Sequence, residues 1–189
     1  MKTEKKIIRY LIETKNRFTI RELSKQIKSD YKIVHTAVNR LIKKGLLKTE
    51  KIGSSIRIEF NSRLTKDVFG VEFERREEIL KNKNLKIMFD SVKDNLQNIN
   101  FILLLFGSYA KKKENEKSDI DLMFIVPDLS VEKKIEQTIS LLPLKIHLLV
   151  FNKKQFRGMK DSKELNVVKE AISNNVILYG IEQYYELIK

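Results

Sequence analysis

Residues 100–126 read NFILLLFGSYAKKKENEKSDIDLMFIV, and this stretch decides the fold of the larger part of the chain. Positions 100–106 form an apolar run with the pattern of a central strand buried on both faces. Gly107-Ser108 interrupts it. A glycine there lets the backbone pass close to a ligand, and the serine adds a hydroxyl and an amide that can hold a phosphate. After a lysine-rich segment, SDIDLMFIV predicts a second strand over 119–126. Alternation along that strand puts Asp119 and Asp121 on one face. Two carboxylates so close repel each other unless a positive charge lies between them. A divalent cation is the common solution, and Mg²⁺, which takes oxygen ligands, is the natural candidate.

Upstream of the run, Leu85, Phe89, Val92, Leu96 and Ile99 recur every three or four residues and predict one amphipathic helix packed on its own sheet. Downstream, 130–141 predicts a crossover helix, KIHLLVF at 145–151 a further strand, 162–173 another helix, and 176–178 a short last strand. Phe151-Asn152 is placed to cap a short helix. Tyr179, Tyr184 and Tyr185 are spaced for packing rather than for stacking on a base.

The first sixty residues carry a different pattern. Ile7, Ile8, Leu11 and Ile12 lie at helical spacing, opposite Lys5, Lys6 and Arg9. Thr19 with Glu22 three residues later is a capping-box signal for a second helix, whose buried stripe is Ile20, Leu23 and Ile27. A third helix, capped by Ser29 or Asp30, runs to about Lys44 and stops at Gly45. It turns Val34, Ala37, Val38, Leu41 and Ile42 inward. Lys32, His35, Thr36, Asn39, Arg40 and Lys43 are left on the solvent side. Positions 46–51 and 55–60 flank a tip with Gly53 and Ser54, which predicts a hairpin. The charged stretch 61–84 joins the two halves as a linker containing a short helix or a dimer contact.

The charge is lopsided. Of 189 residues, Lys plus Arg number 38 and Asp plus Glu 25, net +13; residues 1–60 hold 16 and 6, so +10 of the excess lies in the first third. A polyanion is the expected partner of that part. The chain has no Cys, which removes disulfide scaffolds, Cys-ligated metal sites and thiol nucleophiles. With no apolar run near the ~20 residues of a membrane helix and no h-region at the N-terminus, a cytoplasmic protein without a membrane partner is expected.

Three helices followed by a hairpin, with the phrase RLIKKGLL at 40–47, resemble the winged helix-turn-helix superfamily of DNA-binding domains. The resemblance covers residues 1–60 and implies a duplex-DNA partner, transcription regulation and, by analogy, a homodimer. In a major groove, Asn39 and Arg40 suit adenine and guanine, with His35 and Thr36 beside them. Lys32, Lys43, Lys51 and Arg57 would lie near phosphates. His35 is read as a groove-edge residue and not as a metal ligand.

GSYAKKKENEKSDIDL at 107–122 resembles the signature of the nucleotidyltransferase superfamily that includes DNA polymerase beta, and more narrowly its minimal members. KEAISNNVILYGIEQYYELI at 169–188 is similar to the end of such domains. This resemblance covers 85–189, so the expected class is α+β: a winged helix-turn-helix, then a nucleotidyltransferase-like mixed sheet flanked by helices. It implies that Gly107, Ser108 and Ser118 hold a nucleoside triphosphate, and that Asp119 and Asp121 are catalytic ligands for one or two Mg²⁺ ions. Active members usually carry a third acidic residue on a later strand, and the position matching it here is His147. Imidazole is a poor Mg²⁺ ligand but can act as a general base. Glu116, Asp128 and Glu132 are the other carboxylates available to complete the site. Lys111-Lys112 stand where many relatives have Arg-Gly, and Lys111–Lys113 read mainly as a solvated face. The function expected is a DNA-binding transcriptional regulator whose second domain binds nucleotide and Mg²⁺, with transfer put in question by His147. The alternative is an active enzyme that moves a nucleoside monophosphate to a protein or nucleic-acid acceptor, as antitoxin-like members do.

Overall fold

The computed structural model describes residues 2–115 and 118–189. The chain divides into two compact units, Met1–Val71 with Lys189, and Glu72–Ile188.

In the first unit, α1 (Thr3–Thr14), α2 (Ile20–Gln26) and α3 (Tyr31–Lys43) precede an antiparallel hairpin of β1 (Leu47–Ile52) and β2 (Ser55–Phe60). The helix starts are chemically marked. Thr19 and Glu22 form the capping box reciprocally at α2, and the Asp30 carboxylate accepts the Lys32 and Ile33 N–H groups at α3. Gly45, at φ +69°, closes α3 in the left-handed region where glycine carries no Cβ penalty. Ile7, Ile8, Leu11, Ile12, Leu23, Val34, Val38, Leu41 and Ile58 are buried together, so the spacing of apolar residues sets which faces meet. Phe18 and Ile58 exchange backbone hydrogen bonds of 3.0 and 2.8 Å, tying the segment between α1 and α2 to the hairpin.

A longer helix than expected, α4 (Lys66–Ile79), crosses the division between the units. The second unit continues with α5 (Lys83–Asn95), β3 (Ile102–Phe106), the single turn α6 (Gly107–Ala110) and β4 (Ile120–Val126). A 3₁₀ turn at Leu129–Val131 leads into α7 (Glu132–Ser140), then β5 (Ile146–Asn152), α8 (Lys153–Asp161), α9 (Val167–Ser173), β6 (Val176–Tyr179) and α10 (Ile181–Ile188). The sheet is mixed, in the order β5-β4-β3-β6: β3 is antiparallel to both β4 and β6, and β4 is parallel to β5. Parallel neighbours need a crossover, and α7 supplies it.

Leu103, Leu105, Leu122, Phe124 and Val126 form one core with Leu85, Met88, Phe89 and Val92 of α5 and with Ile135 of α7. Ile146, Leu148 and Val150 of β5 pack against the same core. The other face of β4 carries Asp121, Met123 and Ile125. One expectation needs correction. The helix expected over 162–173 is confined to α9, because Asn166 supplies its N-cap by accepting the Lys169 N–H. Tyr184 and Tyr185 pack as expected, fully buried, and they do so on a helix, α10, that their spacing did not signal. Among the described residues no helix is long and apolar enough to cross a membrane.

A buried polar cluster anchors the C-terminal helix of this unit. Glu72 and Arg75 of α4 pair at 2.6 Å, the Tyr185 hydroxyl donates to Glu72 Oε1 at 2.8 Å, and Arg75 donates to the Asn175 carbonyl at 2.7 Å. Asn175 Nδ2 donates in turn to the Ala171 carbonyl and the Tyr184 hydroxyl. Burial holds the acidities of both tyrosines far weaker than usual, so they stay neutral hydrogen-bonding groups.

Candidate functional site

Strand topology brings three separate sequence positions to one end of the sheet. Phe106, the last residue of β3, pairs with Asp121 near the start of β4, because these strands are antiparallel. Asp121 pairs with His147 near the start of β5, because those strands are parallel. Gly107 follows Phe106 directly, so Gly107, Asp121 and His147 converge.

Gly107 has φ +66° and is buried. A Cβ built on it would run into the Asp121 carboxylate and stand 2.8 Å from its Cγ. Glycine is required twice over, by the backbone and by the neighbour. The Asp121 carboxylate is about three-quarters buried, and its Oδ1 lies 3.1 Å from Nδ1 of His147. A carboxylate accepts only, so in this contact the ring N–H donor is Nδ1. Asp119 precedes the first residue of β4 and is exposed. Ser108 is half-buried in α6. Ser118 is committed locally: its N–H donates to the Asn115 carbonyl and its Oγ accepts the Asn115 N–H, both at 2.9 Å.

Asp121 and His147 are the two potential ligating groups that the structure brings into contact here. Among the described residues no group of three or more His, Cys, Asp or Glu gathers as a metal site. Asp128 is not aimed here. It follows the far end of β4, on the order of 20 Å from Asp121 at ~3.3 Å per residue, and its carboxylate caps the next turn. There it accepts the Ser130 N–H, which holds its acidity stronger than usual. Glu132 begins α7, also beyond that end. Glu116 lies outside the described residues. Two carboxylates suit one Mg²⁺ that keeps waters and is shared with substrate phosphates.

The cations next to this end are largely engaged. Lys111 pairs with Glu170 at 3.2 Å and Lys112 with Glu78 at 3.0 Å. Tyr179 stacks on Phe101 with centroids 4.6 Å apart, and Tyr184 and Tyr185 are core residues.

In the first unit, Lys32, His35, Thr36, Asn39, Arg40 and Lys43 are all exposed on α3, Lys51 is exposed on β1, and Arg57 is half-buried on β2. They are not equally available. Arg40 lies 3.8 Å from Glu4 of α1. Lys44 lies 2.8 Å from the same carboxylate and 3.3 Å from Asp67, which keeps its ammonium protonated beyond the usual lysine range. Lys2 and Lys44, which sequence spacing did not single out, line an open cleft with Lys32, Thr36 and Arg40. Their approach depends on how α1 packs on α3, for which no local pattern gives a signal.

A family model described as Nucleotidyltransferase domain matches residues 85–177. The mixed sheet with its flanking helices is consistent with a nucleotidyltransferase-like fold over those residues. Comparison with curated proteins returned no match, and comparison with solved structures returned none.

Proposed function

We propose that the protein is a DNA-binding transcriptional regulator whose C-terminal domain binds a nucleotide instead of transferring one. In this reading the N-terminal unit is a winged helix-turn-helix, with α3 as the recognition helix in a major groove and the β1–β2 hairpin as the wing, on duplex DNA as a homodimer. What supports it is the order of three helices, the second and third capped by side chains, and a hairpin, the +10 excess in residues 1–60, and the row of exposed polar and basic side chains on α3.

In the C-terminal domain, Gly107 and Ser108 would approach the phosphates of a nucleoside triphosphate, and Asp119 and Asp121 would hold the single Mg²⁺ it brings. That ion would screen phosphate charge against the two carboxylates. The observation that carries the choice of binding over transfer is the contact of His147 with Asp121: an imidazole stands where a third oxygen ligand would be needed.

The intact Gly107-Ser108 turn beside Asp121 favours a second reading, an active nucleotidyltransferase acting on a protein or nucleic-acid acceptor. One experiment separates the two. The protein is incubated with each α-³²P-labelled nucleoside triphosphate and Mg²⁺ or Mn²⁺, alone and with cell extract. Thermal shift is followed in parallel. A nucleotide-dependent rise in Tm without label transfer supports binding. Label transfer that is lost in the Asp119→Asn, Asp121→Asn variant would establish the enzyme instead.

A further inference from the structure

We infer that the N-terminal unit reads thymine-containing sequence, with Ile33 and the methyl group of Thr36 meeting thymine C5-methyl groups and Asn39 taking the adenine. This rests on the DNA-binding reading above and specifies its target. Between residues 2 and 60 the exposed large apolar side chains are Tyr31, Ile33, Ile52 and Ile56. Two stand on the first turn of α3 and two at the hairpin tip, while the remaining isoleucines and leucines of α1, α2 and β2 that form the core are buried. Exposed apolar side chains confined to the two elements suited to enter a groove call for an apolar partner there.

The flanking charges identify that partner. Lys32 follows Tyr31 and precedes Ile33, and Lys51 and Arg57 flank the tip isoleucines. A protein surface covering these groups would have to desolvate the cations, whereas a polyanion pairs with them. Within a major groove, the thymine C5-methyl is the apolar group presented at a base edge.

The hydrogen bonds of α3 sharpen the preference. Thr36 Oγ1 donates to the Lys32 carbonyl at 2.9 Å, so its hydroxyl is turned back to the helix and its methyl is the group left to a ligand. Asn39 Nδ2 lies 3.4 Å from His35 Nδ1, on the same exposed face, and a carboxamide pairs with adenine N6 and N7. Arg40, the side chain suited to guanine, is drawn toward the Glu4 carboxylate. Methyl and carboxamide groups face outward while the guanine reader is engaged within the unit, so A·T pairs are favoured over G·C.

The test uses the full-length protein. Duplexes are selected from a random pool, and in the tightest binder each thymine is replaced singly by uracil, which removes the methyl and keeps the pairing. Binding is followed by fluorescence anisotropy. At one or two positions the substitution should weaken binding about fourfold, the worth of one buried methyl group. The same duplex should show no such sensitivity with Ile33→Ala, whose Tm should match the wild type because the side chain is exposed. Equal affinity for thymine and uracil duplexes, or a selected sequence of G·C pairs, overturns thymine reading while salt-dependent binding keeps the DNA-binding reading. Absence of salt-dependent duplex binding overturns both.

Discussion

His147 Nδ1 and Asp121 Oδ1 lie 3.1 Å apart because β4 and β5 are parallel and their second residues are register partners. The contact gives Asp121 a neighbour on one oxygen, while Gly107 passes against the other. A side chain 26 positions away is thereby brought against the Asp-x-Asp segment.

Replacing that neighbour is the direct test of its effect. His147→Asp places a third carboxylate beside Asp121, and Mn²⁺ affinity, read by the paramagnetic signal of bound ion, should rise over wild type. Label transfer from a nucleoside triphosphate is expected to appear, or to increase, in the same variant. Unchanged affinity would mean that the imidazole is not what limits the site.

Gly107→Ala forces a Cβ into a left-handed backbone and into the Asp121 carboxylate. The expected loss is on the order of 2–4 kcal/mol in urea unfolding of the domain, from the left-handed penalty plus overpacking. Any nucleotide-dependent rise in Tm should vanish with it. A loss below about 0.5 kcal/mol, the level of a neutral surface change, would refute the requirement for glycine.

Glu72 and Arg75 are a buried ion pair, so removing the Glu72 carboxylate takes a counter-charge away from a buried guanidinium. Glu72→Ala should cost about 3–5 kcal/mol of unfolding free energy, and adding Arg75→Met should recover part of it. The comparison is made by chemical denaturation of both variants, and additivity of the two losses would argue against the pairing.

Glu22 sits in the capping box with Thr19, whose N–H and hydroxyl hold its carboxyl below the usual glutamate range. A lowered folded-state value means the stabilisation is present above the ordinary range and lost as pH falls through the lowered value. Between pH ~5 and ~3 the Tm advantage of wild type over Glu22→Gln should shrink. A constant difference across that interval would exclude the linkage.

On duplex DNA, binding should fall steeply with salt. Lys43→Ala and Lys51→Ala should each lower the slope of log affinity against log salt by about 1. Glu4→Gln should strengthen binding by releasing Arg40 and Lys44. A flat salt response would refute the groove-binding model.

Much of this molecule was legible locally. Thr19 and Glu22, Asp30, Gly45 and the Gly53-Ser54 tip mark where elements start and stop by hydrogen bonds spanning two to four residues, so spacing alone predicts them. The apolar run 100–106 and the strand after Ser118 were equally plain. α10 was missed because its aromatic residues fit either a helix or irregular packing until the surrounding core is known. The engagement of Lys111, Lys112 and Arg40 was also invisible, since Glu170, Glu78 and Glu4 are 59, 34 and 36 positions away.

The sequence by itself determined the two-part plan, the lopsided charge and the presence of a Gly-Ser turn and an Asp-x-Asp strand. Those rest on composition and on helical and strand periodicity, which are properties of neighbouring residues. Only the tertiary structure decided that Gly107, Asp121 and His147 share one end of the sheet, and that Glu72 and Arg75 are buried beneath Tyr185. Strand order and register place those groups, and both follow from burying the whole core at once.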